Sequence, residues 1–396
     1  MIVCLIIPLV LRSMTTTPAP AKSVPFGNLK AHYQDYKQQL DAAVNRVLAS
    51  GHYILGKELD AFEDQFAAFL GLPEKRVVGC ASGTDAIYLA LLDAGVKAGD
   101  EILVVAHTAV PTICAIVKTG ATPIFIDVCP DTLVMDPADL EAKVTKNTKV
   151  IIPVHLYGQM VDMDAVMQVA TKHKLVVLED CAQATGASYK GKAAGTIGDY
   201  GAFSFYPSKN LGAFGDGGAV SCNSEEKYES LKMLRNYGQS KRYYHDEFGV
   251  NSRLDEMQAA ILSAQLPYVK EWNDKRRKLA ALYTKLLKDV VETPVEAKDN
   301  FHVYHLYVIQ TDKREELKDW LEAQASIQAL IHYPIPAHLQ KAYQHLGNKR
   351  GFLPKTEYMA DRILSLPMHQ GLTEDDVEYV CHKIKEFIGS KTGSKV

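Results

Sequence analysis

The 396-residue sequence lacks several features that mark specialised classes of protein. It has no CxxC pair, and its seven cysteines are odd in number and scattered, so they suggest neither a disulfide framework nor a zinc site. It has no long run of like charge, and its formal net charge of −3 gives no support for binding to nucleic acid or a membrane surface. These absences favour a reducing, cytoplasmic location and small-molecule partners.

The chain opens on an apolar run that is too short to span a bilayer. Residues 1–11 are apolar, the first basic residue follows them at Arg12, and a Thr/Pro/Ala-rich stretch extends over residues 14–23. We therefore expect residues 1–23 to be disordered or to include a mis-assigned start, with Met14 as the other candidate start. A signal anchor in this segment stays an alternative.

An HxxH pattern at His302 and His305 raises the question of a metal site. The surrounding residues, VYHLYVIQ, have the period of a strand, in which side chains three positions apart point to opposite faces. The sequence therefore predicts no metal site.

The middle of the chain alternates short apolar runs with amphipathic helical segments. The runs predicted as strands cover residues 76–80, 101–106, 122–127, 150–154, 175–178, 201–205 and 218–222. Two lead-in helices are expected before them, at 28–48 and 57–70, and further helices between them, at 84–94, 110–118 and 162–173. This alternation predicts an α/β fold with a mostly parallel sheet, whose ligand lies beyond the carboxyl ends of the strands.

The pattern changes after about residue 263. A long charged helix at 269–287, a strand at 303–310 and helices at 313–322 and 374–388 predict a smaller α+β domain. We therefore expect a large domain over residues 24–263 and a small C-terminal domain over residues 264–396.

Polar side chains follow three of the predicted strands. Ser82, Gly83 and Thr84 open a helix after the first, where hydroxyls and free N–H groups suit a phosphate; capping of the helix alone would explain them equally. Asp180 ends a later strand, where its carboxylate would pair with a protonated pyridine nitrogen or with an ordinary cation. Gln183, a turn further on, is a candidate for contacting the phenolic oxygen of such a ring.

The third such strand leads into the segment GAFSFYPSKNLGAFGDGG. Ser204 is a second candidate phosphate ligand, and Lys209 is either a solvated strand-end lysine or a lysine that forms a Schiff base. A phosphate cup, a carboxylate and a lysine thus occur in order at successive strand ends. Together they favour pyridoxal phosphate, which must be held at both ends of its ring.

These stretches resemble the DegT/DnrJ/EryC1/StrS family of nucleotide-sugar aminotransferases, which have the fold-type I architecture of aspartate aminotransferase. The resemblance covers residues 24–388, and its most specific stretches are EDCAQATGA and FSFYPSKN. Further matching stretches are SGHYILGKELDAFEDQFA, ASGTDAIYLAL, GDEILV, TGATPIFIDV, IIPVHLYGQMVDMD, LRNYGQ, GVNSRLDEMQAA and IHYPIPAHLQ.

The resemblance implies roles for these residues. Lys209 would form the internal aldimine, Asp180 would bind the pyridinium nitrogen, and Gln183 the ring oxygen. The phosphate would be held by Gly83, Thr84 and Ser204. Asn251 matches a position that reaches the phosphate from a neighbouring subunit, so a homodimer with shared active sites is expected.

The resemblance also bears on the substrate. His332, Tyr333 and His338 match a segment that lines the sugar-nucleotide site, although ordinary packing would also explain them. Many family members have a ring-stacking aromatic where this chain has Ala109, so His107 is the candidate substitute.

The closest branch aminates 3-keto-6-deoxyhexoses on dTDP, with glutamate as the amino donor in a ping-pong reaction. Two other functions stay open. One is a 4-keto-sugar aminotransferase acting on a UDP- or dTDP-sugar. The other is a non-catalytic regulatory relative that binds the cofactor.

Overall fold

A computed structural model describes residues 22–392. The expectation for residues 1–23 lies outside this range except at its last two residues. There, the Lys22 ammonium lies 2.9 Å from a carboxylate oxygen of Asp376, and the Ser23 hydroxyl donates to the Ser326 carbonyl at 3.3 Å. These contacts join Lys22 and Ser23 to the C-terminal part of the chain, and the assignment of the segment stays a prediction.

A seven-stranded sheet forms the centre of the molecule. Its strands are β1 Val77–Cys80, β2 Glu101–Val105, β3 Thr122–Ile126, β4 Thr148–Ile152, β5 Val176–Asp180, β8 Tyr200–Ser204 and β9 Gly218–Cys222. They lie side by side in the order β1-β9-β8-β5-β4-β2-β3. Every residue of β1 and β9 is buried, which requires cover on both faces of the sheet. All seven predicted strands are present, with ends shifted by one or two residues.

Only β9 runs against the other strands of this sheet. It pairs antiparallel with β1 on one side and with β8 on the other, whereas β8, β5, β4, β2 and β3 are parallel. The prediction of a mostly parallel sheet is confirmed. Because β1, β5 and β8 all point the same way, their carboxyl ends meet at one edge.

Some of the helices pack against the seven-stranded sheet, and others form a smaller C-terminal part of the molecule. They are α1 Leu29–Asp35, α2 Lys37–Ser50, α3 Lys57–Leu70, α4 Gly83–Asp93, α5 Val110–Lys118, α6 Pro137–Ala142, α7 Met163–His173, α8 Glu225–Leu234, α9 Glu256–Gln265, α10 Val269–Leu287, α11 Arg314–Ala325, α12 Pro354–Ala360 and α13 Glu374–Thr392. The predicted lead-in helix at 28–48 is divided in two at Tyr36, whose φ of −115° is not helical.

Short strands make up the remaining sheets. β6 Ser188–Tyr189 pairs with β7 Lys192–Ala193 and β12 Asn300–Phe301, β10 Gln239–Lys241 pairs with β11 Tyr244–His245, and β13 Tyr307–Gln310 pairs with β14 Ile363–Leu366.

The strand predicted at 303–310 is confirmed only over its second half, β13. Two guanidinium groups explain the difference, because Arg277 donates to the His302 carbonyl at 2.8 Å and Arg276 donates to the Tyr304 and His305 carbonyls at 3.2 and 3.3 Å. These carbonyls are then engaged by side chains of α10 in place of a neighbouring strand. His302 and His305 therefore do not alternate across a sheet as expected.

The buried apolar residues form two main clusters. The larger surrounds the seven-stranded sheet, and the smaller joins α10, α11, α13, β13 and β14 with Val24. The predicted domain boundary at residue 263 stays a prediction, and α9 runs across it. Between residues 22 and 392, no helix combines the length and the apolar character needed to cross a membrane.

Candidate active site

A cavity of about 340 Å³ opens at the sheet edge where β1, β5 and β8 end. Of the twelve residues that the sequence singled out, the structure brings nine to its wall. These are Ser82, Gly83, Thr84, Asp180, Gln183, Ser204, Lys209, His332 and Tyr333. The position of the cavity agrees with the rule that open α/β sheets bind ligands beyond the carboxyl ends of their strands.

One end of the cavity is built from a helix N-terminus and close backbone packing. Ser82 caps α4 by accepting a hydrogen bond from the Asp85 N–H at 3.1 Å. A Cβ on Gly83 would lie 2.6 Å from the Ser204 Cβ, and a Cβ on Gly218 would lie 2.4 Å from the Ser82 carbonyl carbon. Glycine at both positions thus lets three chain segments meet. The positive end of the α4 dipole lies beside the hydroxyls of Ser82, Thr84 and Ser204, and this arrangement suits a phosphate.

The cavity wall also holds the buried carboxylate of Asp180, which is 4% exposed. It accepts hydrogen bonds from the Thr112 hydroxyl at 2.8 Å and from the Ala182 N–H at 3.1 Å. Burial raises the pKa of Asp180, and these hydrogen bonds and the nearby Lys209 charge counteract only part of that rise. A carboxylate in such a position is stabilised by a cationic N–H donor, which a protonated pyridine nitrogen provides.

Gln183 is held between two tyrosines. Its Oε1 accepts from the Tyr157 N–H at 2.6 Å, and its Nε2 donates to the Tyr333 hydroxyl at 3.1 Å. Tyr157 has a φ of 61°, which non-glycine residues rarely adopt, and this backbone places its N–H against Gln183. One N–H of the Gln183 amide remains for a ligand oxygen.

Lys209 follows β8 in a tight turn, with its N–H donating to the Tyr206 carbonyl at 2.8 Å. The side chain is half-buried and lines the cavity together with Asp180. Burial of the ammonium lowers the pKa of Lys209 to about 8, against a smaller raising effect of the Asp180 carboxylate. A neutral amine is therefore readily available near neutral pH, as a nucleophilic lysine requires.

The structure does not bring three of the predicted residues to this cavity. His107 is fully buried, with its Nε2 2.6 Å from the Tyr157 hydroxyl, so its ring has no access to a ligand. His338 is likewise buried and lies 3.0 Å from Glu357. Asn251 is exposed and is not on the wall of this cavity, and its contact with a neighbouring subunit stays a prediction.

The cavity wall also contains residues that the sequence did not single out for this role. Thr112 supports Asp180, and the wall also includes Tyr206, Ser208, Asp216 and His305. A hydroxyl at the start of the helix after β2 was a possible signal for Thr112. His305 gave no such signal, because it reaches the cavity from a segment nearly one hundred residues beyond Lys209.

Behind Asp180 lies a group of side chains that could in principle hold a metal. The candidate ligand atoms of His155, Glu179 and Cys181 lie within 4.8 Å of one another. The Glu179 carboxylate, however, already accepts hydrogen bonds from His155 at 2.9 Å and from the N–H groups of Gly195, Ile197 and Gly198 at 2.8 to 2.9 Å. These contacts show Glu179 holding the chain at 195–198.

The observed residues fit pyridoxal phosphate. The absence of a Cβ on Gly83 lets Ser204 approach the start of α4 closely, Asp180 matches a ring nitrogen, and Lys209 offers an amine on the same cavity. Ala109 also lines the cavity. It stands where the resemblance leads us to expect an aromatic residue that stacks on the cofactor ring, and it has no aromatic group.

Comparison with known proteins gives a consistent result. The family model described as the DegT/DnrJ/EryC1/StrS aminotransferase family matches residues 34–385. A "pleiotropic regulatory protein" from Geobacillus stearothermophilus is 45% identical over 369 residues, covering 92% of this chain and 98% of that protein. A "dTDP-3-amino-3,4,6-trideoxy-alpha-D-glucose transaminase" from Streptomyces venezuelae is 43% identical over 371 residues, covering 93% and 97%.

Among solved structures, that of S. venezuelae DesV in complex with a ketimine intermediate superimposes with a TM-score of 0.90 at 44% identity, covering 92% of this chain and 98% of that chain. The chain therefore belongs to the DegT/DnrJ/EryC1/StrS aminotransferase family.

Proposed function

We propose that this protein moves the amino group of glutamate to a dTDP-linked 3-keto-6-deoxyhexose. The family establishes a sugar aminotransferase that depends on pyridoxal phosphate. The sugar, the nucleotide and the amino donor are the parts we propose. The S. venezuelae relative, named for a dTDP-3-amino sugar, supports amination at C3.

The observation that carries the proposal is the placement of Lys209 and Asp180 on one cavity wall beside the α4 N-terminus. When bound, pyridoxal phosphate supplies an electron sink for negative charge that develops on the carbon bearing the amino group. Asp180 would hold the ring nitrogen in its protonated form. Ser82, Gly83, Thr84 and Ser204 would fix the phosphate and so prevent rotation of the ring.

We assign the proton transfers to Lys209. Its lowered pKa, about 8, allows the free amine to take the proton from the donor α-carbon, and the resulting ammonium would donate that proton to the C4′ carbon of the cofactor. Gln183 would donate to the phenolic oxygen with its remaining N–H. In the second half of the reaction, the same groups would work in reverse on the ketosugar.

The covalent role of Lys209 is tested by borohydride reduction of the holoenzyme, followed by mass spectrometric mapping of the modified lysine. We expect the cofactor on Lys209, and we expect Lys209→Ala to lose both this modification and turnover. Lys190→Ala, which removes an exposed lysine paired with Asp164, is the matched control and should keep both. Cofactor attached to another lysine, or full turnover by Lys209→Ala, would refute the assignment.

The sugar is tested by incubating the glutamate-treated enzyme with dTDP-linked 3-keto and 4-keto sugars. NMR of the product then gives the position of the new amino group. Amination at C4, or of a UDP-sugar in preference, would establish the second candidate. Absence of turnover with every ketosugar, combined with retained cofactor binding, would favour the regulatory function that the G. stearothermophilus relative's name suggests.

We also propose a homodimer in which Asn251 reaches the partner's phosphate. The segment just before Asn251 supports this, because Tyr243 is 77% and Phe248 88% exposed. Aromatic side chains this exposed are characteristic of an interaction surface. Sedimentation measurements test the dimer, and a monomer with full turnover would exclude it.

The scattered cysteines support the cytoplasmic location that we propose.

A further inference from the structure

A second cavity, of about 220 Å³, adjoins the first on another side of Lys209. The two share Lys209, Ser208, His305 and His332 as a common wall. The second cavity is also lined by residues 26–29, His32, residues 368–371 and Arg276 of α10, together with Pro207 and Leu306. We call it the arginine cavity.

Arg276 is a buried cation without a carboxylate partner among residues 22–392. It is 2% exposed, and its Nη1 donates to the carbonyls of Tyr304, His305 and Met368 at 2.9 to 3.3 Å. Its Nη2 donates to the Gln370 side chain at 3.0 Å, and its Nε has no partner within that range. All of its acceptors are neutral, so its positive charge is not compensated.

Other groups around this cavity reinforce the positive potential. Lys209 is the second cationic group on the wall, and His32, His305, His332 and His369 are the titratable groups beside it. Burial lowers the pKa of each of the four histidines, so they add polar N–H groups without negative charge. The Nε2 atom of His369 is buried and unpartnered among the described residues.

A buried cation is normally paired, since an uncompensated charge in a low-dielectric interior is costly. A cavity lined by a guanidinium without a carboxylate partner attracts a carboxylate most strongly, because the charges are opposite and a guanidinium matches a carboxylate in hydrogen-bond geometry. The reactive amine of Lys209 lies on the same wall. An anion held here would therefore lie next to the atom that handles the proton.

We propose that the arginine cavity binds a carboxylate of the amino-acid donor, with Arg276 as its counter-charge. This inference rests on the proposed aminotransferase function and adds the donor-recognition site to it. The cofactor occupies the first cavity, and the donor's carboxylate enters the second. Arg276 is a binding residue of the first half-reaction and has no contact with the sugar.

The test measures binding of glutarate to the holoenzyme by titration calorimetry. Glutarate has the two carboxylates of glutamate but no amino group, so it binds without reacting; neutral glutaramide is the matched ligand control. We expect Arg276→Gln to weaken glutarate binding by at least about tenfold, Arg276→Lys to weaken it less, and glutaramide to bind poorly to all forms. Arg277→Gln removes the neighbouring arginine, which is paired with Glu296, and should leave glutarate binding unchanged.

Single-turnover kinetics distinguishes this role from a structural one. In Arg276→Lys, the glutamate concentration that half-saturates the first half-reaction should rise, while the reaction of the aminated enzyme with ketosugar keeps its rate. Equal losses in both half-reactions would overturn the proposal. Failure of every ketosugar, with glutamate still converting the cofactor, would defeat the proposed sugar function but leave this site standing.

Two further measurements complete the test. The first decides which anion the cavity binds, and the second does not depend on the folding of any variant. If dTDP displaces glutarate from the parent enzyme, and this competition needs Arg276, the cavity serves the nucleotide and the proposal is overturned. A crystal structure of the parent holoenzyme with glutarate needs no variant. We expect a carboxylate in the arginine cavity beside Arg276, and ordered glutarate found only elsewhere would overturn the proposal.

Discussion

Lys209 and Asp180 face one cavity, and burial shifts each pKa in the direction that favours the neutral form of the side chain. The pKa of the lysine falls to about 8, whereas the pKa of the carboxyl rises. Such paired shifts are typical of catalytic sites, where each group must hold or release a proton near neutral pH. At the residue scale, burial at the sheet edge is therefore what makes the chemistry possible.

The lowered pKa of Lys209 predicts a pH dependence of cofactor capture. Only the unprotonated amine attacks a carbonyl carbon, and for a pKa of about 8 its fraction grows about tenfold from pH 7 to pH 9. Stopped-flow absorbance of the apo-protein mixed with pyridoxal phosphate should show this rise and a plateau above pH 9. A blocked lysine amide measured in parallel corrects for titration of the cofactor, and a rate still climbing at pH 10 would contradict the prediction.

Gly83 gives a second prediction at this scale. In Gly83→Ala the new Cβ would meet the Ser204 Cβ at 2.6 Å and its Cα at 3.1 Å, so the phosphate cradle must open. We expect cofactor affinity to fall by about tenfold or more, as judged by equilibrium dialysis. Gly389→Ala on α13 is the control, because the new Cβ would meet no atom within 4 Å beyond the adjoining backbone, and it should bind the cofactor normally.

Several residue roles could be anticipated because they depend on position along the chain. Ser82, Asp180 and Lys209 each follow a predicted strand, and parallel strands bring such ends to one edge. The supporting contacts could not be anticipated in this way. Thr112 meets Asp180, and Tyr157 meets Gln183, only through the lateral order of the strands, which periodicity does not specify.

At the scale of elements, Glu256 joins two helices. It lies at the start of α9, is 1% exposed, and accepts hydrogen bonds from the N–H groups of Gly56, Glu58 and Leu59 at 2.9 to 3.0 Å. These are donors at the start of α3, which has no side-chain cap of its own. The carboxylate thus caps α3 from another helix and also opposes its dipole.

This capping predicts a stability effect for Glu256→Gln. The amide keeps the size of the side chain but turns an N–H₂ group toward backbone donors and removes the negative charge. We expect a loss of about 3 kcal/mol in the free energy of unfolding, measured by urea denaturation of the apo-protein. Glu322→Gln, on the exposed side of α11, should change it by less than about 0.5 kcal/mol. Equal effects of the two substitutions would refute the capping role.

Sequence patterns anticipated the strands of the central sheet and several long helices, but not α8, α9 or the short strands. The buried strands of the central sheet are continuous apolar runs, which need no partner to be recognised. β6, β7 and β12 have two residues each and so carry no periodicity. The break at Tyr36 and the shortened β13 arise from tertiary contacts that a local pattern does not contain.

At the scale of the whole molecule, a site shared between subunits predicts complementation. Lys209→Ala and Asn251→Ala should each be inactive, but their hybrid dimers contain one intact site. Isolated hybrids should then have about half of the parent activity, and the randomly paired mixture about a quarter. Activity is measured on hybrids isolated through two different affinity tags.

A control pair separates shared from private sites. Lys209 and Asp180 line the same cavity of one chain, so hybrids of Lys209→Ala with Asp180→Ala have a damaged residue in every site and should stay inactive. If hybrids of Lys209→Ala with Asn251→Ala also stay inactive, Asn251 serves its own chain or has no role at the phosphate.

The antiparallel β9 has a further consequence, for the order of events during biosynthesis. Among the described residues, β1 has no strand partner except β9, and Val77 pairs with Ser221 far along the chain. Because synthesis proceeds from the N-terminus, β1 stays unpaired on the nascent polypeptide until residue 222 has been added. The Ser82–Gly83 turn closes against Gly218 and Ser204 only then. The ribosome must therefore translate more than half of the protein before the proposed binding site for the cofactor's phosphate can form.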